Sequence, residues 1–425
     1  MSEQRNSDGL LSGYRVLDLT DEKGLLCGKM LGDRGADVIK VERPGGDRAR
    51  NIGPFYKDIP DPEKSLFWFY TNTSKRGITL NIETADGRDI FKRLVKTAHF
   101  VIESFDPGYM AKLGLGYSEL EKVNPGVVMT SIAPFGQTGP HAHYKANDLV
   151  LWNMGGMACL CGDPDRAPLR ISCPQAYFFG GVHGALGSMV AHYHRVMTGE
   201  GQQVDVSMQE AVIFATMIAV EIWDLNRINL KPTGAFYAAS RPAPLKPLYT
   251  RWLWSCKDGH VFLYYMGGGT GAYVRSSKTL IEVANREGIA LELKGYDWVK
   301  HDKAVITQEH EDWVAQLIEP YIHGRTKAEL FQMALKEGVL LAPANSTRDL
   351  AESPQLGARD YWVSVEHPEL DDTILYPGAP VKLSEAPTRI RRRAPLIGEH
   401  NQEIYCGEFG LSKADLVLLK SAGVI

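Results

Sequence analysis

The chain has 425 residues, long for one hydrophobic core, so two domains are expected. A hydrophobic fraction of 44% beside 23% charged residues is the balance of an ordinary soluble globular protein. The formal net charge of −4 leaves no basic excess for a nucleic-acid or polybasic membrane-surface partner.

The apolar run Arg15–Thr20 predicts a buried strand, Gly24–Arg34 a helix, and Ala36–Val41 a second strand. Strand, helix and strand in under thirty residues make a βαβ unit with a parallel pair. A dinucleotide-binding fold opens in this way, with Glu42 where a ribose-binding acid would stand. The only glycines between Thr20 and Met30 are Gly24 and Gly28, so the G-x-G-x-x-G phosphate loop is missing and a nicotinamide site is not expected. Further strands are expected over 77–82, 99–103, 127–132 and 203–207, with helices from Thr84, over 176–197 and over 209–226. Gly180, Gly181, Gly184 and Gly187 in the long helix predict close packing. The preceding pair Lys75-Arg76 reads as a structural turn.

The prolines of Asn229–Pro247 suggest a linker, followed by a hairpin (249–256 and 260–266) and helices near 273–286, 313–322 and 327–336. The expected organisation is α/β: a doubly wound large domain with a smaller α+β domain. Its parts are residues 1–228, then 229–335 as linker and small domain, then 336–425 returning to the large domain.

Cys27, Cys159, Cys161, Cys173, Cys256 and Cys406 include no C-x-x-C pair, so neither a zinc ribbon nor a thioredoxin-like site is indicated. Cys159 and Cys161 read as buried small apolar residues. Met1–Gly9 lacks the apolar core of a signal peptide, and His183, His192 and His194 interrupt the longest apolar stretch; a cytoplasmic protein is expected. Arg389 and Arg391–Arg393 read as a solvated or interface face.

Pro134-Phe135-Gly136-Gln137-Thr138-Gly139-Pro140 enforces an irregular loop, and Asn147-Asp148 opens an apolar run as a helix N-terminus does. Asp148 either caps that helix or is a carboxylate kept ionised there, able to act as a nucleophile. This loop, the Asp after it and Gly155-Gly156 resemble the class III (CaiB/BaiF-type) CoA transferases. So do Gly35–Glu42, Thr198–Ser207 and Arg393–Asn401, in the right order.

The resemblance implies a Rossmann-like large domain and an interlocked ring dimer, homomeric or with a paralogous subunit. It implies acyl-CoA and carboxylic acid substrates, no tightly bound cofactor and no metal. Asp148 matches the family nucleophile, which forms an anhydride and then an aspartyl-CoA thioester. Arg43, Leu80, Ser104, Phe105 and Lys112 match CoA-binding positions. Gly267, Gly268 and Gly269 are candidate substrate-side residues, and with Gly155-Gly156 candidate sources of oxyanion-binding N–H groups. The segments 21–24, 61–66 and 73–81 look most like the benzylsuccinate CoA transferase branch, which implies a succinyl-CoA donor and an aryl-substituted succinate acceptor. Trp152, Met154, Met157, Tyr177 and Phe178 could line an apolar pocket, with Arg166 or Arg170 for a second carboxylate. An α-methylacyl-CoA racemase is disfavoured because Asn147 stands where that branch has His, and Ser172–Tyr177 contains no acid. A non-catalytic partner subunit is the remaining alternative.

Overall fold

The computed structural model describes residues 9–239, 241, 245–268 and 271–425. It divides into two compact units: residues 1–158, 170–228 and 355–425, and residues 159–169 with 229–354.

The first unit is built on a six-stranded parallel sheet. Its strands are β1 (Arg15–Leu19), β2 (Asp37–Glu42), β3 (Lys75–Thr79), β4 (Phe100–Glu103), β5 (Val128–Ala133) and β6 (Gln203–Ser207). They lie in the order β3-β2-β1-β4-β5-β6, every neighbouring pair parallel. The order reverses between β1 and β4, so their C-terminal loops diverge and leave a crevice. Strands buried on both faces are predominantly apolar, which is why β4 and β5 are legible from sequence.

The helices between and after them are α1 (Leu25–Gly32), α2 (Leu66–Thr71), α3 (Ala85–Val95), α4 (Tyr109–Lys112), α5 (Tyr117–Val123), α6 (Asp148–Met154), α7 (Ala176–Thr198), α8 (Met208–Phe214) and α9 (Met217–Asn226). The glycines of α7 do the packing that their spacing predicts. A Cβ on Gly181 would lie 2.8 Å from the Leu26 side chain on α1, and one on Gly184 would lie 2.7 Å from Ile132 on β5. The expected single helix over 209–226 breaks at Ala215-Thr216, where the Thr216 hydroxyl donates back to the Ile213 carbonyl at 3.0 Å.

Lys75-Arg76 is not a turn but the buried start of β3. Lys75 Nζ donates to Asp18 Oδ2 (2.7 Å), the Leu25 carbonyl (2.8 Å) and Asn72 Oδ1 (2.9 Å), so all three ammonium protons are used. Arg76 pairs with Asp37 and with Glu403 and Glu408 from the far end of the sequence. The outer edge of β3 is covered by the segment carrying Arg393–Asn401. The Ser74 N–H donates to the Arg392 carbonyl (3.0 Å), the His400 N–H to the Gly77 carbonyl (2.9 Å), and the Thr79 N–H to Asn401 Oδ1 (2.9 Å). This motif therefore closes a sheet edge that would otherwise present unpaired amides.

The second unit holds β7 (Phe236–Ala239), β8 (Leu248–Arg251), β9 (Leu253–Cys256), β10 (Gly259–Leu263), α10 (Gly271–Arg286), α11 (Gln308–His323), α12 (Lys327–Glu337) and β11 (Leu341–Ala344). The expected strand over 249–256 splits at Trp252. Its first half pairs with β7, inside the stretch expected to be linker, and its second half makes the hairpin with β10. β11 pairs antiparallel with β10. That pairing holds residues 336–354 in this unit, so the chain rejoins the first unit at Gln355 rather than at 336. There it adds the antiparallel pair β12 (Trp362–His367) and β13 (Asp372–Pro377) and the helix α13 (Lys413–Ser421).

Among the described residues no helix is long and apolar enough to cross a membrane. No group of three or more His, Cys, Asp and Glu there could hold a metal ion. Cys159 is exposed and Cys161 half-buried, against the expectation that both are core; residues 159–169 are a loop segment with little apolar cover.

Candidate active site

A cavity of about 890 Å³ opens at the C-terminal ends of β1, β2 and β4, at the reversal of strand order, and is large enough for a small-molecule ligand. Arg43, Leu80, Ser104 and Phe105, which are far apart in sequence, all line it. They meet because each directly follows, or nearly follows, the C-terminal end of β2, β3 or β4. Lys112 does not line it: it sits exposed at the end of the short helix α4.

The cations of the wall differ in what they are doing. Arg43 is exposed, with no side-chain hydrogen bond or ion pair among the described residues. Arg48 is bound to Asp21 (2.6 Å) and Glu22 (2.9 Å), Lys23 to Asp21, and Lys145 to Asp106. Arg43 is thus the wall cation available to a ligand without breaking a pair. Lys23, Arg48 and Lys145 were not singled out from sequence, because they stand among acids and read as ordinary surface charge.

Ser104 is committed inside the protein. Its hydroxyl donates to Asp21 Oδ1 at 2.7 Å and accepts the Asp21 N–H at 2.9 Å, tying the loop after β4 to the loop after β1. Below it, Glu103 accepts the Phe105 N–H at 2.7 Å. Burial pushes the Glu103 carboxyl up to about 7, against the opposing pull of Ser131, the Phe105 N–H and Lys23. Phe105 packs on Tyr109 with ring centroids 4.7 Å apart, and the Tyr109 hydroxyl donates to Glu83 at 2.7 Å, giving the cavity a flat aromatic flank. Glu42, the would-be ribose acid, is 1% exposed and locked by Arg50 at 2.7 and 2.8 Å. A Cβ on Gly28 would lie 2.1 Å from Asp18 Oδ2, so that glycine makes room for a carboxylate and not for a pyrophosphate. Both observations argue against a nicotinamide site.

The opposite wall comes from the loop before α6. Gly136 and Gly139 take φ of +78° and +92°, the left-handed region that favours glycine. The Gln137 N–H donates to both Asp205 oxygens at 3.0 Å, pinning the loop to β6. Tyr144, Lys145, Ala146, Asn147 and Val150 then line the cavity. Asn147 caps α6, its side chain accepting the Val150 N–H at 3.0 Å, so its amide is occupied structurally and cannot serve as a base.

Asp148 is half-buried at the first position of α6, between the wall residues Asn147 and Tyr177, and is not itself part of the wall. The Tyr177 N–H donates to its Oδ1 at 3.3 Å. Burial pushes its carboxyl up, and the N–H groups of Tyr177, Ala176 and Gln175, with Arg170, pull it back down. A carboxylate faced by the start of the 23-residue α7 and by its own helix feels two partial positive charges. It is partly desolvated and held by fixed dipoles. Tyr177 lines the cavity beside it, and burial and nearby acids push its phenol up to about 12, so it stays a hydroxyl donor.

Three of the expected glycine donors are already used. The Gly155 N–H goes to the Leu151 carbonyl (2.8 Å), that of Gly156 to Asn153 (3.1 Å), and that of Gly268 to Trp298 (3.1 Å). Gly267 and Gly268 belong to the second unit, where a Cβ on Gly267 would lie 2.1 Å from the Trp298 carbonyl oxygen. Gly269 lies outside the described residues. Trp152 is core rather than pocket, and Arg166, in the second unit, approaches Asp163 at 3.8 Å; Arg170 is exposed.

The family described as CoA-transferase family III matches residues 11–401. The subunit BbsE of succinyl-CoA:(R)-benzylsuccinate CoA-transferase from Thauera aromatica is 35% identical over 402 residues, 93% of this chain and 94% of that protein. Formyl-CoA:oxalate CoA-transferase from Streptomyces coelicolor is 31% identical over 433 residues, 98% and 99% of the two chains. The crystal structure of a CAIB/BAIF family protein from Brucella suis superimposes with a TM-score of 0.79 at 27% identity, covering 94% of this chain and all of that one. With its parallel sheet, switch-point cavity and end-to-end sequence match, the chain belongs to CoA-transferase family III.

Proposed function

We propose that this CoA transferase works through Asp148 as its nucleophile and takes succinyl-CoA as donor and an aryl-substituted succinate as acceptor. The observation that carries the first half is the Asp148 carboxylate held at the start of two helices, between two residues of the cavity wall. In the proposed route an Asp148 oxygen attacks the thioester carbonyl, the C–S bond breaks, and CoA leaves as thiolate. The thiolate then attacks the Asp148 side of the anhydride, releasing the donor acid and leaving an aspartyl-CoA thioester. The acceptor carboxylate attacks that thioester, its C–S bond breaks to give a second anhydride and CoA thiolate, and the thiolate attacks the acceptor acyl carbon, expelling the Asp148 carboxylate. No net proton or redox change is required. Tyr177, whose backbone N–H holds Asp148 and whose side chain is in the cavity wall, is the candidate hydroxyl donor to the tetrahedral oxyanion.

CoA brings a diphosphate and a 3′-phosphate, and Arg43 is the wall cation with no ion pair among the described residues. Arg43→Ala is expected to raise the KM for acyl-CoA about 10- to 100-fold, a charge-assisted contact being worth about 1.5–3 kcal/mol. Lys112→Ala, outside the wall, is expected to change it by less than about threefold. Steady-state kinetics on the two variants distinguishes them, and equal effects would return Lys112 to the site.

The substrate choice rests on likeness to the benzylsuccinate enzyme and on the aromatic flank made by Phe105 and Tyr109, with Tyr144 on the opposite wall. A donor-by-acceptor panel is expected to rank succinyl-CoA above acetyl-CoA and arylated succinates above formate and oxalate. A clear preference for oxalate would end this choice of substrate and leave the transferase assignment intact.

The proposed assembly is a dimer, homomeric or with a paralogous subunit. On α7, Val182, Leu186, Val190, Tyr193 and Met197 are exposed at helical spacing, and Phe214, Ile218 and Trp223 add to the apolar surface. Sedimentation is expected to give a dimer, whereas a stable monomer that turns over would refute it.

A further inference from the structure

A second cavity in the first unit, of about 360 Å³, lies at the opposite, N-terminal edge of the sheet, where the chain enters β1, β4 and β5. Its wall includes Tyr14, Lys96, His99, Asn124, His192 and Arg195, and no carboxylate. Arg195 is half-buried without an acidic partner among the described residues. One guanidinium nitrogen donates to the His99 carbonyl at 2.8 Å and to the Gly126 carbonyl at 3.3 Å, and the other to His192 Nδ1 at 2.8 Å. Its planar group lies over the rings of Tyr14 and Phe100, 5.5 and 5.1 Å from their centroids. Lys96 is exposed at the rim and forms no ion pair among the described residues. Asp37 and Glu408, the acids that hold the adjacent Arg15, are not part of the wall.

The two imidazoles have fixed tautomers. A guanidinium can only donate, so His192 Nδ1 is an acceptor and its proton sits on Nε2. The Arg15 N–H donates to His99 Nδ1 at 3.0 Å, which puts the His99 proton on Nε2 as well. Neither Nε2 has a partner among the described residues, although His192 is only 7% exposed. Burial and the neighbouring Arg195 hold both rings below the ordinary histidine range, so at neutral pH they are neutral donors.

We infer that this cavity binds a small dianionic oxyanion, of the size of phosphate or a short dicarboxylate, between Arg195, Lys96 and the Nε2–H groups of His99 and His192. Arg195, Lys96, His99 and His192 line one cavity whose wall contains no acid. A half-buried guanidinium left without an anion is unfavourable, and a bound oxyanion relieves it. The site lies at the other end of the sheet from Asp148 and does not depend on the proposed reaction.

Inorganic phosphate and succinate are titrated separately into the full-length protein by calorimetry at constant ionic strength, with Lys96→Ala, His192→Phe and the surface control Lys420→Ala in parallel. Saturable binding of at least one anion to the wild type is expected, weakened about tenfold in Lys96→Ala and in His192→Phe and unchanged in Lys420→Ala. Phosphate alone identifies a tetrahedral oxyanion as ligand, and succinate alone a dicarboxylate. If His192→Phe fails to fold, Lys96→Ala decides, since its exposed side chain supports no internal contact. No saturable binding of either anion, or equal binding in wild type and Lys96→Ala, overturns the inference.

Discussion

Asp148→Asn is expected to lower transfer at least ~10³-fold while acyl-CoA still binds, because the covalent route is removed rather than weakened. The same change is expected not to destabilise the protein. Burial raises the Asp148 carboxyl above its unfolded value, so the ionised form is held at some cost to the fold. For a group raised in this way, stability falls as pH climbs from the unfolded toward the folded pKa, and at neutral pH the cost is fully present. Asparagine keeps an oxygen for the Tyr177 N–H and carries no charge. Thermal unfolding of Asp148→Asn should therefore match or exceed the wild type at pH 7, and the wild type should lose its disadvantage in acid. A variant that is inactive because it is unfolded would not fit this account. Nor would one that keeps more than a tenth of the wild-type rate.

The largest stability effect is expected at Lys75. Lys75 and Asp18 are both fully buried and bonded at 2.7 Å. Burial pushes the Asp18 carboxyl up, and Lys75, Lys40 and Thr20 more than reverse this, leaving it below the usual carboxylate range. Asp18 also accepts the Thr20 N–H (3.0 Å) and hydroxyl (2.6 Å), which shapes the turn leading to Asp21 and the cavity. Lys75→Met removes one charge and leaves the other in the core, a loss of about 3–5 kcal/mol. Urea denaturation measures it, and adding Asp18→Asn to the same chain should recover part of the loss. Because the Asp18 pKa is lowered, its contribution is present above the unfolded value of about 3.9 and disappears as pH falls below it. A loss under about 1 kcal/mol for Lys75→Met would show that the pair is not what secures this turn.

Lys75 also illustrates what a sequence can and cannot disclose. Strands buried on both faces appear as largely apolar runs, so β1, β2, β4 and β5 are legible locally, the edge strand β6 from its alternation, and the helix start at Asn147-Asp148 from its cap. Lys75-Arg76 looks like a solvated turn because the groups that neutralise it, Asp18 and Glu403, lie 57 residues before Lys75 and 327 after Arg76. The strand Phe236–Ala239 is hidden among prolines and is specified by pairing with β8. The return to the first unit is misplaced for a similar reason: Leu341–Ala344 is held back by a strand eighty residues upstream.

The site divides along the same line. Arg43, Leu80, Ser104 and Phe105 converge because strand ends of a parallel sheet converge, which sequence order predicts once the strands are known. Ser104 lines the cavity but spends its hydroxyl on Asp21, and Lys112 stands outside. The glycines Gly155, Gly156 and Gly268 supply room for packing or a turn, and their N–H groups are consumed locally. No sequence pattern distinguishes a glycine chosen for its missing Cβ from one chosen for an open amide. Tyr177 is read from sequence as a candidate pocket residue, and the contact of its N–H with Asp148 follows from the helix start at Ala176.

The most direct measurement is trapping of the covalent intermediate. The protein is incubated with succinyl-CoA and hydroxylamine, digested, and the peptide containing Asp148 analysed by mass spectrometry. A hydroxamate at Asp148 that depends on succinyl-CoA is the predicted result, accompanied by loss of activity. An unmodified Asp148 peptide in a preparation that turns over normally in the presence of hydroxylamine would contradict the account.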